Sequence, residues 1–271
     1  LIFLISIVGL VDDKYHLSIG SKLSLQIIPI FYIVIFENLA LSQLGDYNYF
    51  NLDLGAFAIP FTFLAVLFLI NAFNYFDGID GLLGSSSISV FGILLFLVSM
   101  NNSHHLVIEQ NIQFFLISLI IPIFIFLFFN FSFFKMPKIF LGDGGSLLLG
   151  FIVAFTLIYF ANQNLIHPIL LAWSIAVFVY EFLSINIIRL KNKQMLFKAG
   201  QDHLHHILIQ KNKSVFLSIF LICSLNIFLF IIGYCSYLFL NPLASLVLFT
   251  VFFIIFLILR NIISKNLYIK N

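Results

Sequence analysis

Leu54–Ile70 reads LGAFAIPFTFLAVLFLI, seventeen residues without a charge, and runs straight into NAFNYFDGIDGL, Asn71–Leu82. The first stretch has nearly the length that crosses a bilayer, about 20 residues at 1.5 Å each. The second places two Asn, two Asp and two Gly where the chain must leave the membrane. A carboxylate at mid-membrane costs about 2.5–3.5 kcal/mol on insertion scales, so acids near that depth are retained for a task. The apolar stretch decides the fold, and the polar one poses the question of function.

Working outward, the 271 residues are 62% hydrophobic and only 9% charged. A soluble domain carries roughly 25% charged residues. Lipid admits only helices and closed barrels. The apolar runs here are continuous rather than alternating, which excludes a barrel. The expected fold is all-α: one polytopic membrane helix bundle over residues 1–271. Full spans are expected at 23–36, 55–72, 85–100, 113–131, 147–160, 168–188, 214–239 and 243–260, with a partial one at 1–11. LIFLISIVGLV is half a span and has no initiator Met, so the chain is expected to begin inside a transmembrane helix. It lacks the basic n-region and small-residue cleavage site of a signal peptide. Cys223 and Cys235 lie in one apolar run, behave as small hydrophobes and lack metal-site spacing.

Charge sets the topology. Loops 37–54, 101–112, 161–167 and 240–242 contain no Lys or Arg, and all thirteen basic residues fall on the other side. Lys/Arg-rich loops stay cytoplasmic. Loops 12–22, 73–84, 132–146 and 189–213 and the tail after Arg260 are therefore assigned inside. The same face collects Asp12, Asp13, Asp77, Asp80, Asp143 and Asp202, whereas Glu37, Asp46, Asp53 and Glu109 fall in polar loops outside.

Four segments carry these acids. In GLVDDKYHLSIGSK (Gly9–Lys22), adjacent Asp12 and Asp13 repel, and a metal or a cationic partner would relieve them. The bland reading is a solvated helix end, with Lys14 and Lys22 as topology anchors. In NAFNYFDGIDGLLG, Asn71 with Asn74 and Asp77 with Asp80 are spaced i, i+3 and would stack on one helix face. Asn74 and Asp77, joined by Asn71 and Asp80, could then converge on one site. Gly78, Gly81 and Gly84 permit close approach of a backbone or ligand, or tight helix packing. In FLGDGGSLLLGF (Phe140–Phe151), Asp143 sits in a Gly-rich turn before a helix. The backbone N–H groups of Gly144, Gly145 and Ser146 form a ready anion site, or Asp143 is simply the cap. Lys135 and Lys138 before it read as anchors. In IIRLKNKQMLFKAGQDHLHHIL (Ile187–Leu208), the most basic loop ends in His203, His205 and His206. HxHH matches no zinc signature; in a basic loop, His and Arg189 more plausibly hold phosphate oxygens. Glu181 lies within the preceding span.

Carboxylates beside phosphate-binding groups call for a hard divalent cation. Mg²⁺ takes one or two carboxylates, keeps waters and bridges phosphates, with Mn²⁺ as a substitute. The chemistry suggested is phosphoryl transfer from a soluble activated donor to a lipid acceptor at the membrane surface. A transporter would place its charges near the midplane in repeated broken helices. Here the acids sit at one face.

DDKYHL, NAFNYFDGIDGL, FLGDGGS and HLHH, in that order, resemble the signature set of the polyprenyl-phosphate N-acetylhexosamine-1-phosphate transferases, glycosyltransferase family 4. The resemblance covers residues 1 to about 210 and implies a Mg²⁺-dependent sugar-1-phosphate transferase of the bacterial inner membrane with its active site on the cytoplasmic face. It implies a UDP-N-acetylhexosamine donor, an undecaprenyl phosphate acceptor, UMP as product and a lipid-linked cell-envelope glycan as the outcome. Asn74 and Asp143 would approach the metal, and Asp80 the uracil. Asp12 and Asp13 would lie near the phosphates, one of them as base, with Asp77 in the same catalytic set. Lys22 would contact the diphosphate, Asn71 would join the substrate-binding set, and Arg189, His203, His205 and His206 would bind phosphate or sugar. HLHH is nearer the UDP-GlcNAc group than the phospho-MurNAc-pentapeptide transferases of peptidoglycan synthesis. Glu181, where many relatives have Asp, and the short Asp202–His203 spacing depart from the pattern. Expected partners are the UDP-sugar, undecaprenyl phosphate and membrane lipid, with a second copy of the chain as a further candidate and no nucleic acid.

Overall fold

The computed structural model describes residues 2–100, 106–132, 136–197, 200 and 203–268; Lys135 and Asp202 lie outside them. The helices are α1 (Ile2–Tyr15), α2 (Ile19–Phe31), α3 (Ala58–Tyr75), α4 (Leu82–Met100), α5 (Leu106–Asn130), α6 (Gly142–Asn162), α7 (Pro168–Ser174), α8 (Ala176–Lys191), α9 (Leu204–Asn212), α10 (Val215–Phe239) and α11 (Pro242–Tyr268). Among the described residues, seven stretches are long and apolar enough to cross a membrane, or eight if the bent pair α7–α8 is one span. With α1 as the partial helix, that is the all-α, multi-pass bundle expected from composition.

Helix α6 is the axis of the site-bearing half, and glycines let its neighbours reach it. A Cβ on Gly9 of α1 would lie 2.4 Å from the Asp143 backbone, and one on Gly150 of α6 would lie 2.7 Å from Ile70 Cα of α3. Both crossings therefore bring backbone against backbone, as small residues allow between membrane helices. Helix α8 closes the other side of α3, with Phe178 stacked on Phe73 at 4.1 Å and tilted against Phe76 at 4.3 Å between ring centres.

Two features differ from the expectation. The span 168–188 is not continuous: α7 and α8 meet at a bend of 75°. Neither Pro nor Gly lies at the break. Asn226 of α10 takes up the freed backbone groups, its Nδ2 donating to the Ser174 carbonyl (3.0 Å) and its Oδ1 accepting from Val177 N–H (3.3 Å). Broken helices persist in lipid only where such partners exist.

Loop 37–54 is not merely a polar loop. It holds an antiparallel hairpin, β1 (Gln43–Asp46) and β2 (Asn51–Asp53). Its turn is set by Asp46 Oδ1, which accepts from Asn48 N–H at 2.9 Å, with Asn48 at φ 68°. Tyr47, 2% exposed, packs between Phe50 and the edge of His167. His167 Nδ1 accepts from Ile169 N–H at 3.2 Å, capping α7, so its proton sits on Nε2 and is donated to the Asp46 carbonyl at 2.9 Å.

Two outcomes follow from these contacts. Asn226→Leu strands two buried backbone groups and is expected to cost about 2–5 kcal/mol. It would be read as a lower thermal midpoint in detergent micelles; an unchanged midpoint would mean that packing alone holds the bend. Burial lowers the His167 pKa below its ordinary 6.5, so folding favours the neutral ring. Its contribution is complete above that value and lost as pH falls below it. Hairpin proteolysis should accelerate on acidification in the wild type but not in His167→Asn, which caps without titrating. Equal acceleration in both would contradict this.

Candidate active site

Four helices deliver polar groups to one point at the basic end of the bundle. Ser18 caps α2, its hydroxyl accepting from Ser21 N–H at 3.2 Å, and this starts the turn that carries Lys22. Lys22 Nζ lies 2.6 Å from Asp12 Oδ2 of α1, 2.6 Å from Asp143 Oδ2 of α6 and 3.3 Å from Asn74 Oδ1 of α3. Asn74 Nδ2 donates to Asp143 Oδ1 (2.7 Å) and to Ser146 Oγ (2.9 Å). The two oxygens expected to approach a metal, on Asn74 and Asp143, are thus side by side.

The Asp12–Asp13 repulsion is resolved by sending the two carboxylates apart. Asp12 turns to Lys22, and its Oδ1 accepts from Leu17 N–H at 2.9 Å. Burial, followed by the hydrogen-bonded Asp143 carboxyl, pushes the Asp12 pKa up against the pull of Lys22. Asp13 turns to the start of α6: Oδ1 accepts from Asp143 N–H (3.0 Å) and Oδ2 from Gly144 N–H (3.4 Å). Helix α6 begins at Gly142 (φ 63°), five residues before the expected span. Asp143 therefore lies in its first turn rather than capping it. The anion site expected there is already filled, and Asp13 is the anion.

Helix α3 ends at Tyr75, with Phe76 N–H bonded to Phe73 C=O and Asp77 N–H to Asn74 C=O. Asp77 and Asp80 consequently occupy a turn, which the glycines at 78 and 81 favour over continued helix, and do not share a helix face as their spacing suggested. Asp77 faces inward. Its pKa is pushed up to about 7, by burial first and then by Asp143, Asp13 and Asp80. Asp80 faces outward and pairs with Lys138 at 2.5 Å; Lys138 also lies over the Phe140 ring. Asn71 is a correction too. One turn deeper in α3, it is buried, and its Nδ2 donates to Gln26 Oε1 (2.9 Å) and to Leu67 C=O (2.8 Å). It joins α2 to α3 and does not reach the carboxylates.

The histidine arm folds onto the end of α3. The His203 ring meets Tyr75 edge-on at 4.5 Å, and Arg189 Nη1 donates to Tyr75 Oη at 3.3 Å. His205 presses on the Asp77–Gly78 turn so closely that a Cβ on Gly78 would lie 2.1 Å from its Nε2. His206 stacks beside it, 4.2 Å between ring centres. Burial, then His206, His203 and Arg260, push the His205 pKa down to about 3. His205 is therefore neutral at physiological pH, and a neutral ring can still donate one N–H. Sequence reading did not single out Lys138 as a partner, Tyr75, Gln26 or the Ser146 hydroxyl. Tyr75 and Ser146 lie inside the quoted motifs, and Gln26 is one helical turn beyond Lys22, so spacing alone could have raised them.

Among the described residues, no three His, Cys, Asp or Glu side chains form a closed metal cage. Mg²⁺ needs less, one or two carboxylates with water and phosphate completing the shell. Asp143 and Asn74 offer such oxygens, and Asp77 lies within electrostatic reach of Asp143, Asp13 and Asp80, negative charge that a divalent cation would relieve. The residues fit that ion.

A family model, glycosyl transferase family 4, matches residues 1–161, more than half of the chain. The undecaprenyl-phosphate alpha-N-acetylglucosaminyl 1-phosphate transferase of Escherichia coli O157:H7 is 31% identical over 208 residues, 75% of this chain and 55% of that protein. Its namesake in Yersinia pestis is 30% identical over 211 residues, 76% of this chain and 56% of that protein. The probable undecaprenyl-phosphate N-acetylglucosaminyl 1-phosphate transferase of Bacillus subtilis (strain 168) is 27% identical over 208 residues, 75% of this chain and 55% of that protein. The chain spans about half the length of these curated relatives. It belongs to glycosyl transferase family 4.

Proposed function

We propose that the protein transfers N-acetylglucosamine 1-phosphate from its UDP-sugar to undecaprenyl phosphate, releasing UMP, at the cytoplasmic face of a bacterial inner membrane. The observation that carries this reading is the convergence of Asp12, Lys22, Asn74 and Asp143 on one point at the basic end of the bundle. Family membership and the names of the relatives support the substrates, and favour GlcNAc over a MurNAc-pentapeptide donor.

Asn74 and Asp143, beside Asp77, would hold Mg²⁺, whose charge would offset that developing on the diphosphate as its bridging P–O bond breaks. Lys22 is the cation poised among the acids to meet the same diphosphate. The proposed reaction is a single displacement. An oxygen of the lipid phosphate bonds to the β-phosphorus of the donor, the bridging P–O bond breaks, and UMP departs with that oxygen. A phosphomonoester has its second pKa near 6, so at neutral pH the acceptor is mostly dianionic and needs little help from Asp12 as base. Asp13, held by two backbone N–H groups, is poorly placed to be a nucleophile.

The acceptor's chain needs an apolar bed. A cavity of about 450 Å³ lies between α3, α6, α7 and α8, lined by residues such as Phe61, Phe68, Leu157, Val179 and Phe182. Phe182 packs on Tyr75 at 5.2 Å, which links the cavity to the histidine arm. We assign the polyprenyl chain to this cavity.

The test is UMP release from UDP-GlcNAc by membranes containing the protein, with and without undecaprenyl phosphate, in Mg²⁺ or in EDTA. Release should require both the lipid and the metal. Asp143→Asn should lower kcat by about 100-fold or more, with no phosphorylated enzyme trapped. Lipid-independent release, or a covalent phosphoryl-enzyme, would overturn the scheme.

A further inference from the structure

Glu181 of α8 and Arg260 of α11 form an ion pair in the interior, 1% and 3% exposed. Arg260 Nε donates to Glu181 Oε2 at 2.9 Å, and Nη2 donates to Oε1 at 2.9 Å. Such a pair is weak evidence of stabilisation, because apolar residues of similar volume often serve as well or better. Something other than stability accounts for it more directly.

Glu181 Oε1 has a second donor, Leu204 N–H, at 2.7 Å. Leu204 is the first residue of α9, whose N-cap residue, His203, makes no side-chain capping bond. The first N–H groups of any helix need acceptors from outside it, and a carboxylate there also meets the positive end of the helix dipole. Glu181 thus does from a neighbouring helix what Ser18 does for α2 from within its own chain segment. The helix it caps carries His205 and His206 and follows directly on His203. Clearance there is small, since the His205 ring lies where a Gly78 Cβ would be. A small slide of α9 would therefore move His205 against the Asp77–Gly78 turn and carry His206 with it, and would shift His203 on Tyr75.

We propose that Glu181 is a positioning residue: oriented by Arg260, its carboxylate caps α9 and sets the place of His205 against the Asp77–Gly78 turn, with His203 on Tyr75 and His206 beside it. Its consequence for turnover rests on the transferase reading; the cap itself does not.

Two double variants in lipid nanodiscs separate the cap from the ion pair. Glu181→Met/Arg260→Met replaces the pair with apolar groups and removes the acceptor. Glu181→Gln/Arg260→Met also removes both charges but keeps an amide oxygen facing Leu204 N–H. Amide hydrogen exchange over 204–212 should rise about tenfold in the Met/Met protein, the scale of one lost charge-assisted hydrogen bond, and stay near wild type in the Gln/Met protein. In an active wild type, kcat for UMP release should fall by a similar factor in the first variant only, with the global unfolding midpoint held. Equal exchange in the two variants would overturn the cap, and a raised exchange with unchanged kcat would overturn its role in positioning. If the wild type itself releases no UMP, the transferase reading fails while the exchange result still decides the cap.

Discussion

One ammonium group organises the site. Lys22 Nζ bonds Asp12, Asp143 and Asn74 at once, so the ends of α1, α2, α3 and α6 are tied at one point. Charges at the edge of lipid are tolerated when paired and hydrogen-bonded. This cluster meets that demand with few groups: the amide of Asn74 bridges Asp143 and Ser146, and Asp13 is fixed on backbone N–H groups of α6. Gly9 makes the arrangement possible, since any side chain there would push α1 off the Asp143 backbone.

The same economy of polar groups governs the rest of the bundle. Asn226 satisfies both sides of the α7–α8 bend. That bend sends α8 along α3, where Phe178 stacks on Phe73 and packs on Phe76, and Phe182 reaches Tyr75. Tyr75 in turn receives Arg189 and His203. The histidine arm is thus built onto the bundle through aromatic contacts and held down by Glu181. It is a packed part of the site rather than a loose basic loop.

Much of this was legible from residues alone. The spans could be read because lipid forces every crossing segment to be long, apolar and helical. DDKYHL, NAFNYFDGIDGL, FLGDGGS and HLHH could be read as one site because each is costly at a membrane boundary. The errors were local and of one kind: chain neighbours do not reveal which side chain faces which. Asp77 and Asp80 share a spacing but not a helix, because the glycines at 78 and 81 end it. Asn71 matches Asn74 in type and spacing, yet it turns to Gln26, four residues beyond Lys22. The α7–α8 break left no Pro or Gly to mark it, and the partner of its freed backbone groups, Asn226, lies fifty residues downstream. Sequence does not show that His205 is buried, because the turn it packs on lies far away in the chain.

The cluster around Asp143 is where a divalent cation and a diphosphate would meet. Electron paramagnetic resonance of Mn²⁺, standing in for Mg²⁺, addresses that point without requiring turnover. The protein in nanodiscs would be titrated with Mn²⁺ with and without UDP, beside Asp143→Asn. A single bound ion, tightened by UDP and lost in Asp143→Asn, is the predicted result. Mn²⁺ binding indifferent to both UDP and Asp143 would mean that Lys22 and its carboxylates hold the helices together and that the metal, if used, binds elsewhere.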